Sequence, residues 1–391
     1  MSTSSTKAAL LQVHSVIGLA ISLLLTVIAL TGVTMSFEDE IQASLNAGMT
    51  HVEGRSAPML APDELIARLQ ASHDYGKVSA ITLTSDRSAA VRIRFARSEG
   101  GSRPSSVYVD PYDGHLLGTP RGEDFFATVR RLHRWLLVPG DANGYGRQIT
   151  GVVAIGLIVL LISGIVLRWP RRANSLKMWL KPSLALRGRG FQRSLHSVVG
   201  TWALVIYLVM AFTGLWYSFD WYRNGAIWLL SRPSIAAVPM QPKSPRGVGA
   251  ADAGPLALDR VWSAFLRLQG DRYATAQLTL PAGAGTLVRI RSWPRDASHD
   301  GARDEFRIDA VTGQVMSSEI YADKSLGERI LASVLDIHRG AIFGWPGKLL
   351  FMSAAALMPL FMVTGFMLYL SRRKHRRASR PAALGNLVPG E

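Results

Sequence analysis

The chain has 391 residues, 48% of them hydrophobic, with a mean hydropathy of +0.16 and a formal net charge of +16. It contains no cysteine, which excludes disulfides, zinc–thiolate sites, iron–sulfur clusters, redox dithiols and covalent c-type haem attachment. Any metal or redox group must then be held by His, Met, carboxylate or carbonyl, which makes histidine the leading candidate.

Lys7 to Glu38 is free of formal charge, with His14 its one ionisable side chain. The stretch is too long for a signal-peptide core and lacks a small-x-small cleavage site near its end, so residues 8–37 read as a retained transmembrane helix. Residues 38–122 read as a small α+β domain. Pro62-Asp-Glu opens a short amphipathic helix, residues 78–84, 90–96 and 106–109 alternate as strands, and Asp110-Pro-Tyr-Asp-Gly114 supplies a tight turn. Residues 123–145 form an amphipathic surface helix ending in Leu132-His133-Arg134, then a Gly-rich turn.

A second apolar span, 147–169, leads into a basic loop, 170–193, and a third span, 194–219. The order then recurs in residues 220–325, after a Pro/Gly/Ala-rich linker: a helix over 256–269, strands near 274–280, 287–292 and 305–308, and the turn Asp309-Ala-Val-Thr-Gly313. Residues 326–346 give another surface helix and turn carrying Ile337-His338-Arg339, followed by a fourth span, 348–371, and a basic tail, 372–391.

Charge placement decides the orientation and argues against nucleic acid as a partner. Fifteen of the 44 Lys and Arg lie at Lys7, between Arg168 and Arg193, and between Arg372 and Arg380, with no acid in those segments. The two long segments between spans are nearly neutral. By the positive-inside rule both termini and the middle loop are cytoplasmic and the α+β domains face the other side.

The two halves share text. At an offset of 182 residues, His14, Ser15, Val16, Gly18, Thr31, Gly32, Ser36 and Phe37 fall on His196, Ser197, Val198, Gly200, Thr213, Gly214, Ser218 and Phe219. At an offset of 201, Ser163-Gly164 and Arg171-Arg172 fall on Thr364-Gly365 and Arg372-Arg373. This predicts a tandem repeat of parallel sense, related by an axis along the membrane normal. His14 and His196 then share one depth and His133 and His338 another, and each pair can converge across the axis.

Two facing imidazoles suit six-coordinate haem iron, and without cysteine such a haem is b-type. Gly18 and Gly200, four residues after the inner histidines, lie on the same helix face and leave room for a flat macrocycle. Arg134 and Arg339, next to the outer histidines, are candidates to meet propionates. A single intramembrane histidine is more often a hydrogen-bonded structural group. Four in two matched pairs favour ligation, with the structural role as the alternative. A bare di-histidine metal site would want a third ligand, and neither inner histidine has an acid close in sequence. The spans lack the mid-membrane charges of a transporter. His51, His73, His115 and His299 lack matched partners and read as surface residues, while His375 is kept as a reserve ligand. Trp135, Trp216, Tyr217, Trp221, Tyr222, Phe343 and Trp345 gather near the outer interface, where an aromatic belt is ordinary.

The run HSVIG to TGVTMSFEDE, the LHR before span two and the SGIVLRWPRR that closes it resemble the PepSY-associated transmembrane family. HSVVG to TGLWYSFDW, IHRG and TGFMLYLSRR resemble it again, and the VDPYDGHLLG and IDAVTGQVM turns look like those of PepSY domains. The resemblance covers most of the chain. It implies an α-helical integral membrane protein with four transmembrane helices and two small α+β PepSY-like periplasmic domains. The four-span layout is similar to the ferrisiderophore reductases of the bacterial inner membrane. That likeness implies two b-type haems on His14, His133, His196 and His338, and reduction of a periplasmic ferric siderophore. No dinucleotide fingerprint follows a strand, so a separate cytoplasmic reductase or quinol is expected to donate electrons. The alternative implied by the same resemblance is a membrane-anchored module that binds or restrains a peptidase or assembly partner.

Overall fold

A computed structural model describes residues 3–72, 74–96, 105–169, 174–231 and 256–378; for residues 3–4 and 375–378 it describes the backbone but not the side chains. His73, Arg171-Arg172, the 239–255 linker, the end of the basic tail and the side chain of His375 lie outside what is described. The chain divides into two compact units, one formed by Met1–Ser36, Ala127–Asn224 and Ile337–Glu391, the other by Phe37–Phe126 and Gly225–Asp336.

In chain order the helices are α1 (Thr3–Met35), α2 (Glu38–Leu45), α3 (Ala47–Thr50), α4 (Pro62–Ser72), α5 (Glu123–Trp135), α6 (Tyr145–Arg168), α7 (Leu176–Leu180), α8 (Gly188–Ser218), α9 (Asp220–Leu230), α10 (Leu258–Gln269), α11 (Leu326–Ala332), α12 (Val334–Arg339), α13 (Gly344–Ala356) and α14 (Met358–Ala378). The strands are β1 (Val78–Thr84), β2 (Val91–Phe95), β3 (Ser106–Val109), β4 (Leu116–Gly118), β5 (Tyr273–Thr279), β6 (Leu287–Pro294), β7 (Asp304–Asp309) and β8 (Val315–Glu319).

The first unit is a helical bundle. Ser5–Met35, Tyr145–Arg168, Gly188–Ser218 and Ala341–Lys374 are long and apolar enough to cross a membrane. The first helix packs on α6 and α14, and α8 packs on the same two, so the bundle closes as a ring. Leu25, Val153, Ala203, Tyr207, Ala354 and Met358 form its centre. At Gly151 a Cβ would lie 2.5 Å from the Phe219 ring and 2.8 Å from Ser218, so only glycine lets α6 approach the end of α8 this closely. The fourth span is not one continuous helix. It breaks at Leu357 between α13 and α14, where Pro359 cannot donate the N–H that would run back to Ala355. Near the break the Tyr207 hydroxyl donates to the Ala354 carbonyl at 2.6 Å.

In the second unit the strands of the two long segments join in one antiparallel sheet in the order β4-β3-β2-β1-β5-β6-β7-β8. The join is β1 against β5, with Ala80 opposite Thr279 and Thr84 opposite Thr275. Pairing these two strands removes an exposed edge from each half. Alternate residues of β2, β6 and β7 are buried, and Ile81, Ile93, Leu278, Ile290, Phe306 and Ile308 make one core with Leu65 and Leu69 of α4 and Val261 and Phe265 of α10. Asp63 and Asp259 cap each other's helices reciprocally: each backbone N–H donates to the other's carboxylate, at 2.8 and 3.0 Å. The two expected turns are alike, with Asp110 and Asp309 accepting from backbone N–H groups and Gly114 and Gly313 at φ +75° and +73°. Glu123, which opens α5, pairs with Arg92 at 3.1 Å. Burial opposes the charge of Glu123, but the Ser106 hydroxyl and Arg92 outweigh it and hold its pKa below the ordinary carboxylate value.

Candidate functional site

The helices of the bundle bring the four repeat-related histidines into two pairs. At one end His14 of α1 and His196 of α8 have ring centroids 6.4 Å apart at an interplanar angle of 74°. At the other end His133 of α5 and His338 of α12 have centroids 6.3 Å apart at 73°.

Each imidazole is fixed from behind by a hydroxyl on another helix. His14 Nδ1 lies 2.8 Å from Ser163 Oγ, and His196 Nδ1 lies 2.8 Å from Thr364 Oγ1. His133 Nδ1 lies 3.1 Å from Thr31 Oγ1, and His338 Nδ1 lies 2.8 Å from Thr213 Oγ1. All four hydroxyls give their own proton to the carbonyl four residues back: Ser163 to Val159, Thr364 to Leu360, Thr31 to Val27 and Thr213 to Val209. A hydroxyl has one proton to give, so toward the histidine it must accept. With the hydroxyl proton on that carbonyl, Nδ1 is the protonated nitrogen and Nε2 keeps its lone pair. The outer pair has a second constraint of the same sense, because the Ile28 carbonyl accepts from His133 Nδ1 at 2.8 Å and the Met210 carbonyl accepts from His338. Directly after each hydroxyl comes a glycine. A Cβ on Gly164, Gly365, Gly32 or Gly214 would stand 3.4, 3.7, 3.3 or 3.9 Å from the Cε1 of the histidine it faces.

The Ser/Thr-Gly dipeptides were visible in the sequence only as repeat matches. Their task, one clamp for each histidine, appears once α6 and α14 are set against α1 and α8. Along α1, His14 and Thr31 are 17 residues apart, as are His196 and Thr213 along α8. At 1.5 Å per residue the two pairs are separated by about 25 Å of helix.

His14 and His196 face a cavity of about 1020 Å³ whose wall also includes Gly18, Gly200, Leu160, Leu204 and Phe361. Gly18 and Gly200 line this cavity together with the two histidines. Arg134 lies with its guanidinium 4.9 Å from the Trp135 ring centre and 5.9 Å from that of Tyr217, which itself stands edge-on to His338 at 6.5 Å. Arg339 follows His338 on α12 and is half-buried. Of the outer aromatic residues, Trp221, Phe343 and Trp345 are exposed, and Trp221 stacks on Phe219. Nearby, Arg147 donates to Asp220 at 2.7 Å and holds that carboxyl below its usual pKa.

His299 corrects the surface reading. Its side chain is 7% exposed, and its Nδ1 lies 3.1 Å from a carboxylate oxygen of Asp336, which also accepts from the Gly301 N–H at 2.7 Å. His51 and His115 are exposed.

The donor set fits a haem at each pair. A histidine nitrogen binds a metal at about 2.0–2.1 Å and stands about 1.1 Å from its ring centre, so two imidazoles on opposite sides of one ion have centroids about 6.3 Å apart. The observed 6.4 and 6.3 Å match that spacing. Among the described residues no group of three or more His, Cys, Asp or Glu is placed to hold a metal ion. Two imidazoles alone would suffice to hold a haem iron, whose porphyrin would supply the remaining nitrogens.

The family description "PepSY-associated TM region" matches residues 11–372. The chain belongs to the PepSY-associated transmembrane family. With four apolar helices of spanning length, this family member is a membrane protein. No curated protein matches it.

Proposed function

We propose that this PepSY-associated membrane protein is a di-haem b oxidoreductase of the bacterial inner membrane. In this reading electrons enter from a separate cytoplasmic reductase or quinol and leave to a ferric siderophore in the periplasm, with release of Fe(II). The observation that carries the reading is the pair of matched imidazole sites, at 6.4 and 6.3 Å, each with Nδ1 committed and Nε2 free. Proton inventories alone would not require both sites to share one metal-compatible spacing.

When bound, iron at each pair would supply one-electron transfer at two depths. The chain's own residues hold and tune it. The hydroxyls fix tautomer and ring orientation, and holding the Nδ1–H raises the basicity of the nitrogen that would bind the metal. Two sites about 25 Å apart along the helices would divide a hydrocarbon layer about 30 Å thick. Equivalent residues in the two halves fill equivalent roles, which supports a parallel tandem repeat. The acid-free basic loop supports cytoplasmic termini and a periplasmic sheet domain. Fe(II) grips hard oxygen ligands less firmly than Fe(III), so no acid–base residue is required.

The test is a reduced-minus-oxidised spectrum of the purified protein in lipid, followed by anaerobic mixing of the reduced form with ferric siderophores. A sharp α-band that is lost on mixing, at rates that differ between chelates, is expected. No band in protein from haem-replete cells would overturn the reading in favour of a membrane-anchored interaction module, and equal rates with every oxidant would remove the siderophore.

A further inference from the structure

The tetrapeptide Val-Arg-Ile-Arg occurs twice, as Val91–Arg94 and Val288–Arg291. The first lies in β2 and the second in β6, on either side of the β1–β5 join. Alternation sends Val91, Ile93, Val288 and Ile290 into the core with α4 and α10, so the four arginines share the other face of the sheet. The register then aligns them. One row across the sheet runs Arg92, Thr82, Gln277, Arg291, and the next runs Arg94, Ala80, Thr279, Arg289. Neighbouring strands lie about 4.8 Å apart and alternate residues of one strand about 7 Å, so the arginines mark the corners of a rectangle about 14 Å by about 7 Å. Thr82, Ala80, Thr279 and Gln277 form a low floor between the two banks.

This arrangement opposes sheet stability. Arg289 stands directly opposite Arg307 of β7, a like-charge pair of the kind that weakens a strand pairing. Its Nε is buried and has no hydrogen-bond partner among the described residues. Arg291 comes no nearer than 3.7 Å to Glu305, and burial, with the Arg289 and Arg303 charges, holds its guanidinium below the ordinary pKa. Glu305 is shared with Arg307, at 3.9 Å. Across the join Arg92 pairs with Glu123, and Arg94 and Arg307 are exposed, so the face opens to solvent. A guanidinium presents a planar fork of donors to anionic oxygens. Two banks of such donors across a low floor match a compact anion with oxygens on opposite sides, a shape that a globular metal chelate has and a single lipid phosphate lacks. Resting on the reductase reading, we propose that this face of the sheet docks the ferric chelate, and that the chelate it selects is anionic.

The test uses Ga(III) chelates, which match Fe(III) in charge and ligand preference but take no electron, so binding is read independently of haem. Full-length protein in phosphatidylcholine nanodiscs, free of anionic headgroups, is titrated by calorimetry with two probes. One is the triply anionic Ga(III) complex of enterobactin, a tris-catecholate, and the other the uncharged Ga(III) complex of desferrichrome, a tris-hydroxamate. The anionic chelate should bind about tenfold tighter or more, the difference that one charge-assisted hydrogen bond makes. Arg289→Gln combined with Arg291→Gln should bring the two affinities to within about threefold. Lys7→Gln combined with Arg267→Gln of α10, the same change in net charge away from this face, should leave the preference intact. Equal affinities in the unmodified protein, a preference that survives the paired β6 substitutions, or one lost equally in the Lys7 and Arg267 variant would overturn the assignment. The first comparison needs no variant and so does not depend on how one folds. A protein without haem that still prefers the anionic chelate would overturn the reductase reading and leave the docking face standing, an outcome distinct from equal binding by a protein that carries both haems.

Discussion

Thr364→Val keeps a branched side chain but removes the hydroxyl that accepts from His196 Nδ1 at 2.8 Å. Thr364 is 6% exposed, so water cannot readily replace the lost acceptor. Leaving a buried N–H unsatisfied costs about 1–3 kcal/mol. Loss of the group that hydrogen-bonds a metal-bound histidine costs about 10–100-fold in affinity, and about 1.4 kcal/mol is tenfold, so the two ranges overlap. Thr31→Val removes the matching hydroxyl from His133, but there the Ile28 carbonyl still accepts at 2.8 Å. The inner site should therefore lose about 10–100-fold in haem affinity and the outer site less than about tenfold. The assay is haem transfer to an apoprotein scavenger, with Thr364→Val measured in a His133→Ala background and Thr31→Val in a His14→Ala background. An equal loss for both, or no loss for Thr364→Val, would refute the clamp argument.

Gly200→Leu should abolish haem binding at the inner pair while leaving membrane insertion intact, because Gly200 lines the cavity; Gly200→Ala, whose Cβ meets only Phe361 at 3.5 Å, should insert normally and serve as the control in a spectral titration. Tyr207→Phe should lower the thermal stability of the bundle by about 0.5–1.5 kcal/mol through loss of the bond to Ala354, without changing haem content, as read by parallel circular dichroism and absorbance melts. Glu123 has a folded pKa below its ordinary value, so its contribution is complete above that ordinary value and is lost as pH falls through the lower folded one. Acid melts should thus show a stability slope in that window that Glu123→Gln flattens, and an unchanged slope would contradict the Arg92–Glu123 assignment.

The spans, strands and turn glycines were legible because their signals are local: charge-free length, period-two alternation and Asp-to-Gly turns. The histidine pairs were legible through the repeat, since matching positions in the two halves imply equal depth without any knowledge of packing. What escaped depends on contacts between distant segments. Ser163 and Thr364 are ordinary small helix residues until α6 and α14 lie against a histidine 149 or 168 residues away in sequence. The join of β1 to β5 needs edges that no single strand reveals. His299 looks like a loop histidine because its partner, Asp336, lies 37 residues on. The break in the fourth span was available in Pro359, but its apolar surroundings hid it in a hydropathy reading.

Haem stoichiometry per chain tests the central claim most directly. Protein purified from haem-replete cells should carry two low-spin haems, His196→Ala and His338→Ala one each, and the double variant none. A wild-type chain without haem, or a single variant that keeps both, would contradict the account.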